Sequence, residues 1–233
     1  MHTEQAYAFR NTLLQIHEPH LRQAGKLPTA DQLALKDGAV IAFSSDAGQV
    51  VRTAAEDFAD YLMTSMELLS VTAEAGLLNA EAVVRLHPIS DANAELLGEA
   101  NQYKGFLIQT DDVIDIYAHD ERGMAQALYY LEDVMSFARA PFVDKGDITR
   151  WAMFSPQMVH SSYGLDEYPD NYLARIAHEG RDAILVFTKD VNQTPGGYLD
   201  FNNLIERAAR YGIDVYAYSY YISDMSPEAE GAE

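Results

Sequence analysis

The fold prediction rests on the sequence Ala-Ile-Leu-Val-Phe at residues 183–187. A continuous apolar run of this length, without alternation, is typical of a parallel strand that is buried on both faces. Helical spacing of apolar residues precedes it at residues 168–180 and follows it from Asp200 onwards. Strands are also predicted at residues 150–154 and 211–215. The predicted order of elements is therefore strand, helix, strand, helix, strand. This order predicts the first three strands of a (β/α)8 TIM barrel in residues 149–233, apparently truncated, because three parallel strands leave edges and a face to be covered.

The residues before this series predict a separate α+β domain at residues 25–148. A short apolar run at residues 39–44 predicts a strand, and the helical spacing from Val51 to Met66 predicts an amphipathic helix behind it. Three further β-prone segments include a hairpin, so we expect a sheet that is antiparallel in part. Asp120 is the expected N-cap of a second long helix, which ends before Pro141. Residues 1–24 are expected to form an N-terminal helical extension.

Composition excludes several classes of function. The chain has 233 residues, 48% hydrophobic content and a formal net charge of −20, so it should repel nucleic acid and anionic membrane surfaces. No cysteine is present, which excludes thiolate metal sites and disulfides. No apolar run is long enough for a secretory signal or a membrane span. These observations predict a cytoplasmic protein without nucleic-acid or membrane partners. No metal or cofactor motif is found, and His17 and His20 are interpreted as a chance pair.

A family resemblance rests on two parts of the chain. The first part consists of residues 104–108 (Lys-Gly-Phe-Leu-Ile), residues 113–118 (Val-Ile-Asp-Ile-Tyr-Ala) and the helix that begins Asp-Glu-Arg-Gly at residue 120. The second part consists of Gly-Gly-Tyr at residues 196–198 and Tyr-Gly-Ile-Asp-Val at residues 211–215. Over residues 39–225 this order resembles the small domain and first barrel strands of family-20 glycoside hydrolases, the β-hexosaminidase-like proteins. The resemblance implies a carbohydrate partner and hydrolysis of a glycosidic bond. It also implies an acid/base carboxylate pair at a fourth barrel strand, expected beyond residue 233.

The sequence departs from the family pattern at three places. The pair Asp166-Glu167 stands in the first βα loop, where it is interpreted as a solvated pair before the next helix. His160 occupies the neighbourhood of the family's sugar-binding arginine, and the turn that contains Asp224 lacks the family's histidine. The sugar is therefore left open. A non-catalytic carbohydrate-binding or accessory protein that keeps the fold is the alternative function.

Barrel enzymes build their pockets from the loops at the carboxyl ends of the strands. The candidate substrate-binding residues are therefore the polar and aromatic residues at these ends: His160, Lys189, Asp190, Tyr218, Tyr220, Tyr221 and Asp224. Aromatic faces combined with carboxylates are typical of sugar sites. Each has an alternative: an exposed loop pair for Lys189 and Asp190, a hydrogen-bonded loop histidine for His160, and a barrel wall for the tyrosines. A homo-oligomer is a further expectation, since it would cover the exposed partial barrel.

Overall fold

The computed structural model describes residues 11, 14–74, 82–160, 168–188, 193–194 and 197–219. The helices are α1 (Gln49–Thr64), α2 (Ala94–Leu97), α3 (Glu121–Ala138), α4 (Asp170–His178) and α5 (Phe201–Ala209). The strands are β1 (Gln32–Ala34), β2 (Ala39–Phe43), β3 (Ser70–Glu74), β4 (Val84–Leu86), β5 (Phe106–Thr110), β6 (Ile114–Ala118), β7 (Phe142–Asp144), β8 (Gly146–Arg150), β9 (Met158–His160), β10 (Ala183–Thr188), β11 (Gln193–Thr194), β12 (Gly197–Tyr198) and β13 (Asp214–Ser219).

A six-stranded mixed sheet forms the first part of the fold. Its strand order is β3-β2-β4-β6-β5-β8; the first four strands are parallel, and β5 runs antiparallel to both β6 and β8. The predicted sheet that is antiparallel in part is thus observed. The helices α1 and α3 pack together against this sheet, and Phe58, Leu128 and Ile116 are fully buried between them. The apolar spacing in both helices determines which face they bury.

The start of α3 is fixed by two residues that the sequence singles out. Asp120 caps the helix, because its Oδ1 accepts a hydrogen bond from the backbone N–H of Gly123 at 2.7 Å. Its Oδ2 accepts from the backbone N–H of Lys104 at 2.9 Å, which ties the helix to the chain entering β5. A Cβ atom at Gly123 would lie 2.4 Å from the carbonyl oxygen of Gly105. Only glycine permits this close helix–sheet approach.

A three-stranded parallel sheet forms the second part, in the order β13-β10-β9. The helices α4 and α5 cover one face, where Ile184 and Val186 of β10 are fully buried. One continuous hydrophobic core contains side chains of both sheets. The described strands do not close into a barrel.

The first parallel strand lies later than the sequence predicts. Residues 150–154 do not form it: Arg150 is the last residue of β8 and pairs with Phe106 of β5, and the parallel strand β9 begins at Met158. Trp151 packs instead against Leu107 in a small separate cluster. Of residues 150–154 only Arg150 belongs to a strand, and its partner is the antiparallel hairpin.

The N-terminal segment is helical at Asn11 and Leu14. Residues 15–22 are not helical, and His17 is buried against α1. Among the described helices, none has the length and apolar content needed to cross a membrane.

Candidate functional site

The carboxyl ends of β9, β10 and β13 meet at one edge of the parallel sheet. His160 is the last residue of β9, and its neighbour in register on β10 is Leu185. Further along β10, Phe187 pairs with Tyr218 and Thr188 pairs with Ser219 of β13. Residues paired in this way point to the same side of a parallel sheet. The candidate residues His160 and Tyr218 therefore lie on one face, the face opposite α4 and α5.

An aromatic row crosses this face. The rings of His160 and Phe187 meet edge-on with centroids 6.0 Å apart, and those of Phe187 and Tyr218 meet edge-on at 5.7 Å. Tyr216 lies two residues before Tyr218 on β13, and each of these two tyrosines is 42% exposed. The row is thus an exposed, largely aromatic surface at strand ends. Such surfaces suit the apolar faces of sugar rings, which stack on aromatic side chains while their hydroxyls reach polar groups nearby.

The structure brings two of the seven candidate residues together, and it does so through a third residue that the sequence analysis places in a strand but not in the site. Phe187 bridges His160 and Tyr218, a position that follows from period-two alternation once the register is known. The remaining candidates lie outside the described residues: Lys189, Asp190, Tyr220, Tyr221 and Asp224. The pair Asp166-Glu167 also lies outside them.

The opposite end of the parallel sheet holds a buried polar network around Asp182. Its carboxylate accepts hydrogen bonds from the backbone N–H of Gln157 at 2.6 Å, from the Tyr103 hydroxyl at 2.8 Å and from Ser155 Oγ at 3.2 Å. Lys104 Nζ lies 3.5 Å away and also donates to the carbonyl of Gly180 at 2.6 Å. Burial would raise the pKa of Asp182, but these donors and the Lys104 charge lower it. The amino-terminal end of parallel strands is where stabilising rather than catalytic residues are expected.

Four titratable side chains form a second buried group, which we call the His–carboxylate cluster: His17, Asp57 of α1, Glu132 of α3 and His178 at the end of α4. One potential ligand atom from each residue lies within 4.8 Å of the others. Burial would lower the pKa of His178, but Asp57 and Glu132 raise it to about 10. Burial would likewise raise the pKa of Asp57, yet His17 and His178 lower it to about 2. The sequence analysis missed this cluster because its members share no local motif.

Comparison with known proteins shows a similarity of fold and nothing more. No protein-family model matches the sequence. No curated protein matches it by sequence. Among solved structures, a Streptomyces plicatus β-hexosaminidase in complex with its product GlcNAc is similar with a TM-score of 0.60 and 15% identity over 82% of this chain. The Streptomyces coelicolor family GH20 β-N-acetylhexosaminidase gives a TM-score of 0.59 at 16% identity over 82% of the chain. A family GH115 4-O-methyl-α-glucuronidase specific for decorated arabinogalactans gives 0.54 at 14% identity over 80%.

The chain spans 43% of each of the two Streptomyces proteins and 29% of the glucuronidase. These neighbours are glycoside hydrolases, and at such low identity the likeness concerns the fold. The resemblance to family-20 glycoside hydrolases that the sequence suggested is confirmed at this level. The fold of this chain resembles that of the family GH20 β-hexosaminidases.

Proposed function

We propose that this chain is part of a glycoside-hydrolase-like protein that acts on a carbohydrate. The observation that carries the proposal is the aromatic row of His160, Phe187 and Tyr218, which lies at the carboxyl ends of parallel strands in a fold similar to that of β-hexosaminidases. In barrel enzymes the active site lies at this edge, since the loops that follow the strands form the pocket.

The proposed site extends into the residues that follow the strands in sequence. Lys189 and Asp190 come directly after the last residue of β10, so we place them at the same edge as the row. Tyr220, Tyr221 and Asp224 follow β13 in the same way. In this arrangement the aromatic rings stack on the sugar, and Asp190 accepts hydrogen bonds from its hydroxyls.

The hydrolytic carboxylates are proposed to lie in sequence that follows residue 233, on later strands of a (β/α)8 barrel whose first three strands are β9, β10 and β13. The chain covers less than half of each compared β-hexosaminidase, which supports this division. Met158-Val159-His160 occupies the neighbourhood of the family's sugar-binding arginine, which favours a sugar other than N-acetylhexosamine or a role in binding without hydrolysis.

The first test measures sugar binding to the 233-residue chain. Methyl β-N-acetylglucosaminide and methyl glucuronide are titrated against the 15N-labelled protein, and chemical-shift changes are followed. Tyr218→Ala and Phe187→Ala should weaken binding by about three- to tenfold, as expected for loss of an aromatic contact. Phe137→Ala is the matched control, because that ring is 90% exposed on α3, away from the row. Binding that is absent for both sugars, or unchanged in Tyr218→Ala, contradicts the proposal.

The second test separates an enzyme from a binding protein. The 233-residue chain should not hydrolyse nitrophenyl glycosides, whereas a protein that includes the following barrel strands should. In that longer protein, Asp190→Ala should lower kcat/KM by about ten- to a hundredfold, which corresponds to loss of one charged hydrogen bond. Sugar binding without turnover in the longer protein would support the accessory function. Turnover by the 233-residue chain would place the carboxylates within it.

A further inference from the structure

The His–carboxylate cluster has the spacing of a metal-binding site. His178 Nε2 lies 2.8 Å from Asp57 Oδ2 and 3.1 Å from Glu132 Oε2, and His17 Nε2 lies 3.3 Å from Asp57 Oδ1. His17 Nδ1 lies 3.8 Å from Glu132 Oε2. In a tetrahedral zinc site with bonds of about 2.0 Å, neighbouring ligand atoms are about 3.3 Å apart. With one ligand atom from each residue, all four lie within 4.8 Å of one another, and the spacings of 2.8 and 3.1 Å from His178 to Asp57 and Glu132 are near this value.

Each residue of the cluster has one buried polar atom that makes no hydrogen bond of good geometry. These atoms are His17 Nε2, Asp57 Oδ2, Glu132 Oε1 and His178 Nε2. The side chain of His17 is 4% exposed and that of Glu132 is 6% exposed. An unsatisfied polar atom costs about 1–3 kcal/mol when it is buried, and these four belong to the four residues of one cluster, which indicates a missing common partner.

The orientation of His178 favours a cation as that partner. Its Nδ1 lies 2.7 Å from the carbonyl oxygen of Ala174, one turn earlier in α4, so Nδ1 is the protonated nitrogen. In the neutral ring, Nε2 then carries a lone pair that faces the oxygens of Asp57 and Glu132. Metal-binding histidines usually donate their second ring N–H to a backbone carbonyl in this way. A divalent cation would also balance the two carboxylate charges.

We propose that His17, Asp57, Glu132 and His178 bind a divalent transition metal, with Zn²⁺ as the best fit. Two imidazoles and two carboxylates suit zinc, and four protein ligands in a buried position are typical of a structural rather than a catalytic site. The ion would join the N-terminal segment to α1, α3 and α4. The cluster lies on the helical side of the parallel sheet, so this role is independent of sugar binding at the aromatic row.

A proton is the competing occupant of the site. When His178 is protonated, its Nε2–H faces Asp57 and Glu132 in place of a metal ion. Zinc must displace this proton, so its apparent affinity should rise with pH. Other titratable groups also face the cluster: Asp60 and Tyr61 of α1, Tyr129 and Asp133 of α3, and Tyr211.

The experiment titrates Zn²⁺ into the chain after chelator treatment and dialysis, with a competing chromogenic chelator as the readout. We expect one zinc ion per chain, bound more tightly than about 1 μM at pH 7.5, and a higher melting temperature with zinc. Co²⁺ should give the intense visible absorption of a tetrahedral complex. His17→Asn should weaken binding by more than about a hundredfold, because even second-shell changes cost about 10- to 100-fold.

His20→Asn is the matched control, since His20 is an exposed histidine three positions along the same segment. It should bind zinc as the wild-type protein does. Glu132→Gln supplies a second, isosteric variant if His17→Asn does not fold, as checked by circular dichroism. The proposal is overturned if the wild-type chain shows no saturable binding at 100-fold higher zinc, about 100 μM. It is equally overturned if folded His17→Asn or Glu132→Gln retains wild-type affinity, which would assign the zinc to surface carboxylates.

Discussion

Replacement of Asp182 by alanine should destabilise the protein more than any exposed acidic substitution. Asp182 is 2% exposed and pairs with Lys104, which is 4% exposed. Without the carboxylate, the Lys104 ammonium keeps the Gly180 carbonyl as its partner, and the Gln157 N–H loses its acceptor. Removing one partner of a buried ion pair costs about 3–5 kcal/mol, because the other charge stays buried and uncompensated.

That loss is measurable by urea unfolding at pH 7, followed by circular dichroism and by the fluorescence of Trp151, the one tryptophan of the chain. With a urea m value of about 2–3 kcal/mol per M, the midpoint should fall by about 1–2 M. The control is Asp147→Ala, because Asp147 is exposed on β8. Its midpoint should barely move.

A double variant tests whether the cost comes from the uncompensated lysine. Lys104→Met combined with Asp182→Leu replaces both charges with apolar groups and should recover much of the stability lost in Asp182→Ala. A loss below about 1 kcal/mol in Asp182→Ala would refute the reasoning. So would a double variant that is less stable than Asp182→Ala, since it would mean that the cost does not come from the uncompensated lysine charge.

Three further outcomes are expected. Gly123→Ala should lower the unfolding free energy by about 1–3 kcal/mol in the same urea assay, because its Cβ would meet the Gly105 carbonyl; an unchanged midpoint would show that α3 shifts freely. The raised pKa of His178 means that its stabilisation is complete below its unfolded value of about 6.5 and is lost as the pH rises to about 10. Metal-free wild type should thus lose at least about 1 kcal/mol over that range, whereas His178→Gln should not; equal slopes would contradict this. Amides of β13, at the edge of the parallel sheet, should exchange hydrogen faster than those of the central strand β4; equal protection in a demonstrated monomer would contradict the open-edge interpretation.

Much of the fold could be predicted from local patterns. The helices α1, α3, α4 and α5 and the strands β2 and β10 each carry a periodic or continuous apolar signal within a few residues. The first parallel strand was misplaced because residues 150–154 are β-prone, and only tertiary pairing assigns Arg150 to β5. The strand β3, Ser-Val-Thr-Ala-Glu, was missed because an edge strand with polar positions lacks a strong apolar run.

Only those features of the candidate site that follow from strand topology could be predicted from the sequence. Strand order placed His160 and Tyr218 at one edge, since parallel strands end together. The bridging role of Phe187 required the register between strands, which no pattern in the sequence specifies. His17 and His178 are about 160 residues apart, and long-range packing brought them together with two carboxylates from different helices.

This separation has a consequence for synthesis of the chain on the ribosome. His17 emerges early, yet its partner on α4 is made about 160 residues later, a delay of about 8–30 s at about 5–20 residues per second. α1 and α3 can pack only after residue 138 has been made, and the surface that receives α4 then stays uncovered until α4 emerges. The segment around His17 thus gains its last contacts after the whole six-stranded sheet has been made. Nascent chains, rather than the finished protein, are the form in which this segment is most open to proteases.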